Sequence, residues 1–237
     1  MERITALAEH LSQTPLLPVA LTLLAYQLGL MLFQKLKRPA WLPPIVAGSL
    51  LLVPMIALLL DYATYYSGAK WISFLLGPAT VALAVPLFLQ FRHIRELFVP
   101  IAVTLCVGAP LAAGLALGIA WLLGADLAVL ASLAPKSVTA PIAVSLTEQL
   151  GGVVPLAVGI VALTGVLCSL FAPLCCRWLK IEDERILGFV MGLNGHGIAT
   201  ARAFELGHQA GAFSSLAMGL TGAFTALLLP LAWALLA

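Results

Sequence analysis

Charge is the scarcest property of this chain. Its 237 residues include twelve Lys or Arg and ten Asp or Glu, so 9% are charged, against 62% hydrophobic and a mean hydropathy of +1.09. That leaves too little polar surface to cover a soluble globule of this length. The net charge is only +2, with no basic block and no interleaving of aromatic and basic residues, which argues against a nucleic-acid partner. Cysteine is also sparse. Cys106, Cys168, Cys175 and Cys176 lie in or at the end of apolar runs, without Cys-x-x-Cys spacing or a nearby His pair. They read as small residues facing core or lipid and not as metal ligands or disulfides. Paired intramembrane carboxylates, a His-x-x-x-His motif and a nucleophile with an assigned base are missing as well. An intramembrane hydrolase is therefore disfavoured, and the expectation is a non-enzyme with no catalytic residue, cofactor or metal.

What is present is apolar sequence in long blocks. Residues 16 to 34, 42 to 60, 71 to 90, 97 to 123, 153 to 176 and 211 to 236 contain no Asp, Glu, Lys or Arg. About 20 such residues cross a hydrocarbon core about 30 Å thick as a helix. The blocks are rich in Leu, Ala, Val and Gly, so the expected fold is all-α: a polytopic integral membrane protein forming one membrane domain over 1-237, with 1-14 as an amino-terminal segment. One basic residue, Arg3, beside two acids and no small-residue cleavage pattern predict that the first span is retained.

Two further apolar segments, near 127-150 and 186-210, are interrupted by polar, Pro- or Gly-containing centres. They hold Lys136, Glu148, Arg202 and Glu205, the only charged residues inside apolar sequence. If both crossed the membrane fully, five Lys/Arg would lie on each side. If each instead returns to its own side, eight (35, 37, 38, 92, 95, 177, 180 and 185) share the cytoplasmic face and two (3 and 70) lie outside. The positive-inside rule favours the second arrangement. The expectation is thus about six transmembrane helices plus two oppositely oriented re-entrant or broken hairpins, their tips meeting near the midplane. An arm of about 10 residues reaches about 15 Å, half the core. Non-helical backbone at that depth must be buried in protein or line a wet cavity, and paired broken helices of opposite topology point to secondary transport.

The first centre reads Ala134-Pro135-Lys136-Ser137-Val138-Thr139-Ala140-Pro141. Pro135 ends one half-helix and Pro141 suits the first turn of the next. That second half-helix would aim its amino terminus at the midplane, where Lys136, with Ser137 and Thr139 as caps or ligands, suits an anion. A midplane lysine costs ~3 kcal/mol on insertion scales; its structural alternative is an ion pair with Glu148 or Asp126. The second centre, Asn194-Gly195-His196-Gly197-Ile198-Ala199-Thr200-Ala201-Arg202, places glycines where the backbone would turn. Arg202 suits a carboxylate bidentately or, spaced i,i+3, neutralises Glu205. His196 suits substrate donation or proton coupling, or is a satisfied turn residue. In span three, Gly77-Pro78-Ala79-Thr80-Val81-Ala82 matches the first centre in its Pro, hydroxyl and Val positions 57 residues earlier. This is either an internal repeat that brings Thr80 to the cavity or a chance match with an ordinary kink. The candidate anion-binding residues are Lys136, Ser137, Thr139, Asn194, His196, Thr200, Arg202 and Thr80.

The phrases Gly77-Pro-Ala-Thr-Val-Ala-Leu-Ala-Val-Pro-Leu87, Pro135-Lys-Ser-Val-Thr-Ala-Pro-Ile-Ala143, His196-Gly-Ile-Ala-Thr-Ala-Arg-Ala203 and Gly211-Ala-Phe-Ser-Ser-Leu-Ala-Met218 resemble the LrgB/CidB family in order and spacing, over residues 15 to 237. The resemblance implies a plasma-membrane protein. Its partners would be the lipid bilayer, a small organic anion, and a small LrgA/CidA-like membrane protein or further copies of itself. The family includes plastid glycolate/glycerate translocators and members linked to pyruvate uptake. The leading expectation is therefore a transporter of a small organic monocarboxylate, with ion coupling an open feature. The alternative is a holin/antiholin-like regulator of murein hydrolase activity and autolysis. A pore former needs no buried cation at a midplane site, so Lys136 and Arg202 discriminate between the two readings.

Overall fold

The computed structural model describes residues 14–75, 78, 81, 88 and 91–236. The described residues are helical and include no strand. They fall into two compact units that part between residues 82 and 83.

The first unit contains α1 (Leu16–Lys35), α2 (Pro44–Leu59) and α3 (Tyr62–Phe74). Gly29 and Gly48 bring α1 and α2 together: a Cβ on Gly29 would strike the Gly48 backbone nitrogen. Such small-residue contacts are how helices associate where burial of apolar surface gives no net drive. Against α3, Thr22 Oγ1 and the Tyr65 hydroxyl share a hydrogen bond of 2.9 Å. Asp61 starts α3 by accepting the Thr64 N–H at 3.0 Å and the Thr64 hydroxyl proton. At 16 residues, α2 is shorter than the 42 to 60 block suggested; Pro43 and Pro44 set its start and Leu60 is already extended. The predicted third span, 71 to 90, lies mostly outside the described residues, and Thr80 with it.

The second unit contains α4 (Phe91–Glu96), α5 (Phe98–Leu122), α6 (Leu127–Leu133), α7 (Ala140–Leu150), α8 (Val154–Trp178), α9 (Glu184–Leu206) and α10 (His208–Leu236). Four described helices, α1, α5, α8 and α10, are long and apolar enough to cross a membrane. The expected count of about six is not tested by them, because the third predicted span lies mostly outside the described residues and α2, an apolar helix of 16 residues, falls just short of that length. Trp121 and Trp178 close α5 and α8 and are exposed, as residues of an interfacial aromatic belt are.

Both interrupted segments break where the sequence changes character. The first divides into α6 and α7 across residues 134–139. Asp126 caps α6 by accepting the Val129 N–H at 2.8 Å, and α7 starts on Ala140-Pro141 and ends at Gly151 with φ 76. Ser132, on α6, accepts the Val153 N–H at 2.7 Å, and Gly152 packs on Ala131, Ser132 and Thr147. Val138, Ala143 and Val161 form one buried cluster. The first break thus lies along the amino-terminal part of α8.

The second segment is the single helix α9 with non-helical backbone at His196, φ 43 and ψ −138. Gly192, four residues before it, packs on the Ser214 carbonyl. Thr200, four residues after it, bonds the Ser214 hydroxyl at 2.9 Å. Gly207 meets the Glu184 carboxylate, so the two ends of α9 lie together and the chain reverses at His196. The expectation that glycines carry this turn is corrected: the left-handed residue is His196, while Gly195 lies where a Cβ would strike Ala199 and Cys168. Backbone strain at a non-glycine residue marks positions that the surrounding structure overdetermines. Here two bonds do so. Thr200 donates to the His196 carbonyl at 2.7 Å, and the His196 ring nitrogen Nε2 lies 2.8 Å from the Val161 carbonyl.

Candidate functional site

Val161 and Gly165, near the middle of α8, are where the two breaks meet. Val138 of the first break packs on the Val161 side chain. His196 of the second bonds the Val161 carbonyl, and its ring lies where a Cβ on Gly165 would be. The first break reaches this level from the Val153 end of α8. The second reaches it from the Trp178 end, since Cys168 touches Met191 and Gly195, and Ala172 clusters with Met191 and Ala203. Two helix amino termini, that of α7 and that of the arm following His196, therefore begin at this level. Such termini carry positive partial charge and unsatisfied N–H groups.

Lys136 sits at the first break, half-buried, and its ammonium donates to Ser137 Oγ at 3.0 Å. The ion pair with Glu148 or Asp126 does not form: the ion pairs among the described residues are Arg92–Glu96, Arg185–Asp183 and Arg202–Glu205. His196 and Cys168 are within electrostatic reach of Lys136. A cavity of about 420 Å³ opens beside it, between the middle of α5 and the first arm of α9. Among the described residues, Lys136 is the only charged side chain in its lining, and Thr104 and Asn194 are the polar ones. Asn194 donates to the Val190 carbonyl at 3.0 Å, holding its side chain along α9.

The remaining candidates separate by what they touch. Ser137 holds Lys136. Thr139 occupies the amino cap of α7 but makes no capping bond, and its hydroxyl oxygen is buried without a partner. Ordinary capping therefore does not account for it. His196 and Thr200 are buried and spend their polar atoms on the second break and on Ser214. Arg202 lies on the return arm and pairs with Glu205 at 2.5 Å, leaving its Nε buried and unpartnered. It takes the structural alternative that its spacing offered and does not line the Lys136 cavity. Among the lining residues that escaped the sequence reading are Thr104 and Phe189. Thr104 is the one hydroxyl residue in the 97 to 123 block, a polar atom in apolar sequence that could have singled it out. Phe189 carried no signal beyond hydrophobicity.

A helical membrane protein whose two broken segments meet beside a cavity lined, among the described residues, by one cation without an ion pair is the class that this geometry defines. The family follows from comparison: the model of the LrgB-like family matches residues 22–235, and the chain belongs to that family. It is similar to two uncharacterized proteins of Bacillus subtilis. It is 34% identical to YxaC over 85% of this chain and 88% of that protein, and 33% identical to YwbG over 86% and 91%. It is 26% identical to the antiholin-like protein LrgB of Bacillus mycoides, over 93% of this chain and 96% of that protein. No solved structure matches it significantly.

Proposed function

We propose that this chain binds a small organic monocarboxylate, of the pyruvate, glycolate or glycerate type, beside Lys136 and carries it across the plasma membrane. One observation carries the reading: both helix breaks converge on Val161–Gly165 beside a cavity whose sole charged lining residue, among the described residues, is a lysine without an ion pair there. In this reading both interrupted segments are re-entrant, the first from outside and the second from the cytoplasm, as the distribution of Lys and Arg favours. The carboxylate takes its charge complement from Lys136 and the two helix amino termini. Thr104 and Asn194, which line the cavity, orient it. Arg202 serves as support, through Glu205, and no catalytic step is involved.

The printed name of the Bacillus mycoides relative, antiholin-like, favours a second reading; in that reading the chain regulates murein hydrolase activity, acting with a small LrgA/CidA-like membrane protein or as a homo-oligomer. The exposed apolar stripe of α5 at Val103, Val107, Leu111, Leu115 and Ile119 gives such an assembly a surface. Uptake of labelled pyruvate, lactate, glycolate and glycerate into liposomes holding the purified chain, with and without the small partner, separates the two. Saturable uptake that is lost in Lys136→Ala supports the carrier. No uptake, or leakage of unrelated solutes whatever stands at 136, supports the regulator.

A further inference from the structure

A second cavity, of about 310 Å³, lies between the start of α5 and the start of α9. It shares three lining residues with the Lys136 cavity: Thr104, Phe189 and Val190. At its other end stand Leu97 and the ion pair in which Arg185 donates to Asp183 at 2.6 Å. Those residues follow the stretches that carry Arg92, Arg95, Arg177 and Lys180, the cation-rich and therefore cytoplasmic face. The Arg185 side chain, hydrogen-bonded to Asp183, holds that carboxyl below the ordinary aspartate range. The mouth is thus a neutralised pair and does not compete with Lys136 for an anion. On the other side of the first break the arms pack on α8: Gly152 fits against Ala131, Ser132 and Thr147, the Val153 N–H is bonded to Ser132, and Val138, Ala143 and Val161 form one buried cluster.

We infer that the second cavity is the cytoplasmic access path to the Lys136 site, that this structure is open to the cytoplasm, and that Phe189 is the bottleneck residue controlling passage. Phe189 is 7% exposed and lines both cavities, with Leu193 and Phe213 packed in the same cluster. An aromatic there stands beside any route that runs through both cavities from Arg185 to Lys136. The inference rests on reading the Lys136 cavity as the substrate site, but its test reads water access and not uptake.

The test uses the full chain with its four cysteines replaced by serine, carrying Ile186→Cys or Thr104→Cys, in right-side-out and inside-out vesicles. The probe is the membrane-impermeant reagent (2-sulfonatoethyl) methanethiosulfonate. From the cytoplasmic side both cysteines react. Phe189→Trp slows the reaction at Thr104→Cys about tenfold or more, equivalent to ~1.4 kcal/mol of barrier, and leaves Ile186→Cys unchanged, which also reports that the variant is folded. Thr104→Cys that is unreactive from the cytoplasmic side while Ile186→Cys reacts, or a rate indifferent to residue 189, overturns the path. The expected labelling in a protein that takes up no carboxylate upholds the path and counts against the carrier reading alone.

Discussion

Lys136→Met isolates the most unusual feature of the molecule, a lysine at the first helix break that has no ion pair among the described residues and donates to Ser137 Oγ at 3.0 Å. Insertion scales charge about 2.5–3.5 kcal/mol for a lysine at a helix centre. Lys136 is only half-buried and opens on a cavity, so roughly half of that cost remains, ~1–2 kcal/mol. Methionine has similar length and an adaptable thioether, so it fills the position without leaving a void. The substitution should therefore stabilise the fold. For a chain of this size each kcal/mol moves the midpoint of thermal unfolding by about 2–4 °C, so a rise of roughly 2–8 °C is expected. The five tryptophans supply the fluorescence signal in detergent micelles, and one scan rate is used throughout. Uptake of pyruvate should be lost in the same protein. A lower midpoint would mean that the charge is held by a structural partner. Unchanged uptake would remove Lys136 from function. Gain of stability with loss of uptake is the pattern of a group retained for chemistry against its own folding cost.

Substitutions at Gly192, Thr200 and Arg202, each with a control, test the packing that places the site. Gly192→Ala would push a Cβ into the Ser214 carbonyl and should destabilise by ~1–3 kcal/mol; Gly159→Ala, whose Cβ meets nothing within 4 Å, should be neutral or stabilise by up to ~1 kcal/mol, as chemical denaturation in micelles would read. Thr200→Val leaves the His196 carbonyl and the Ser214 hydroxyl without their bonds of 2.7 and 2.9 Å and should cost ~1–3 kcal/mol, with Thr200→Ser recovering most of it in the same assay. Arg202→Ala strands Glu205 and should destabilise by ~1–3 kcal/mol, while Arg202→Ala with Glu205→Ala recovers stability and keeps uptake; uptake abolished in the stable double variant would return Arg202 to the substrate site.

The breaks themselves were legible because they are local. Pro135 and Pro141 cannot continue a helix without loss of a hydrogen bond, and a polar Asn-Gly-His-Gly run inside apolar sequence has no lipid-facing solution. The structure places α6, α7 and the His196 break where those residues stand. Which residue bends was not legible. Two glycines flank His196, yet it is the histidine that takes φ 43, because Val161 and Thr200, 35 residues before and four after, hold its ring and its carbonyl. The fate of Arg202 was legible only as a choice between Glu205 and a ligand, since i,i+3 spacing permits the pair without requiring it.

By itself the sequence determined that this is a helical membrane protein of the LrgB-like family, with two interruptions that gather the charged residues inside its apolar sequence. Charge-free length and helix-breaking residues act along the chain and need no partner to take effect. The tertiary structure decided that the interruptions meet on Val161 and Gly165, that Lys136 finds no carboxylate while Arg202 does, and that Thr104 and Phe189 complete the cavity. These depend on which helix faces approach, and in apolar surroundings that is set by close packing at small residues such as Gly165, Gly188 and Gly192, a contact energy that no single segment carries alone.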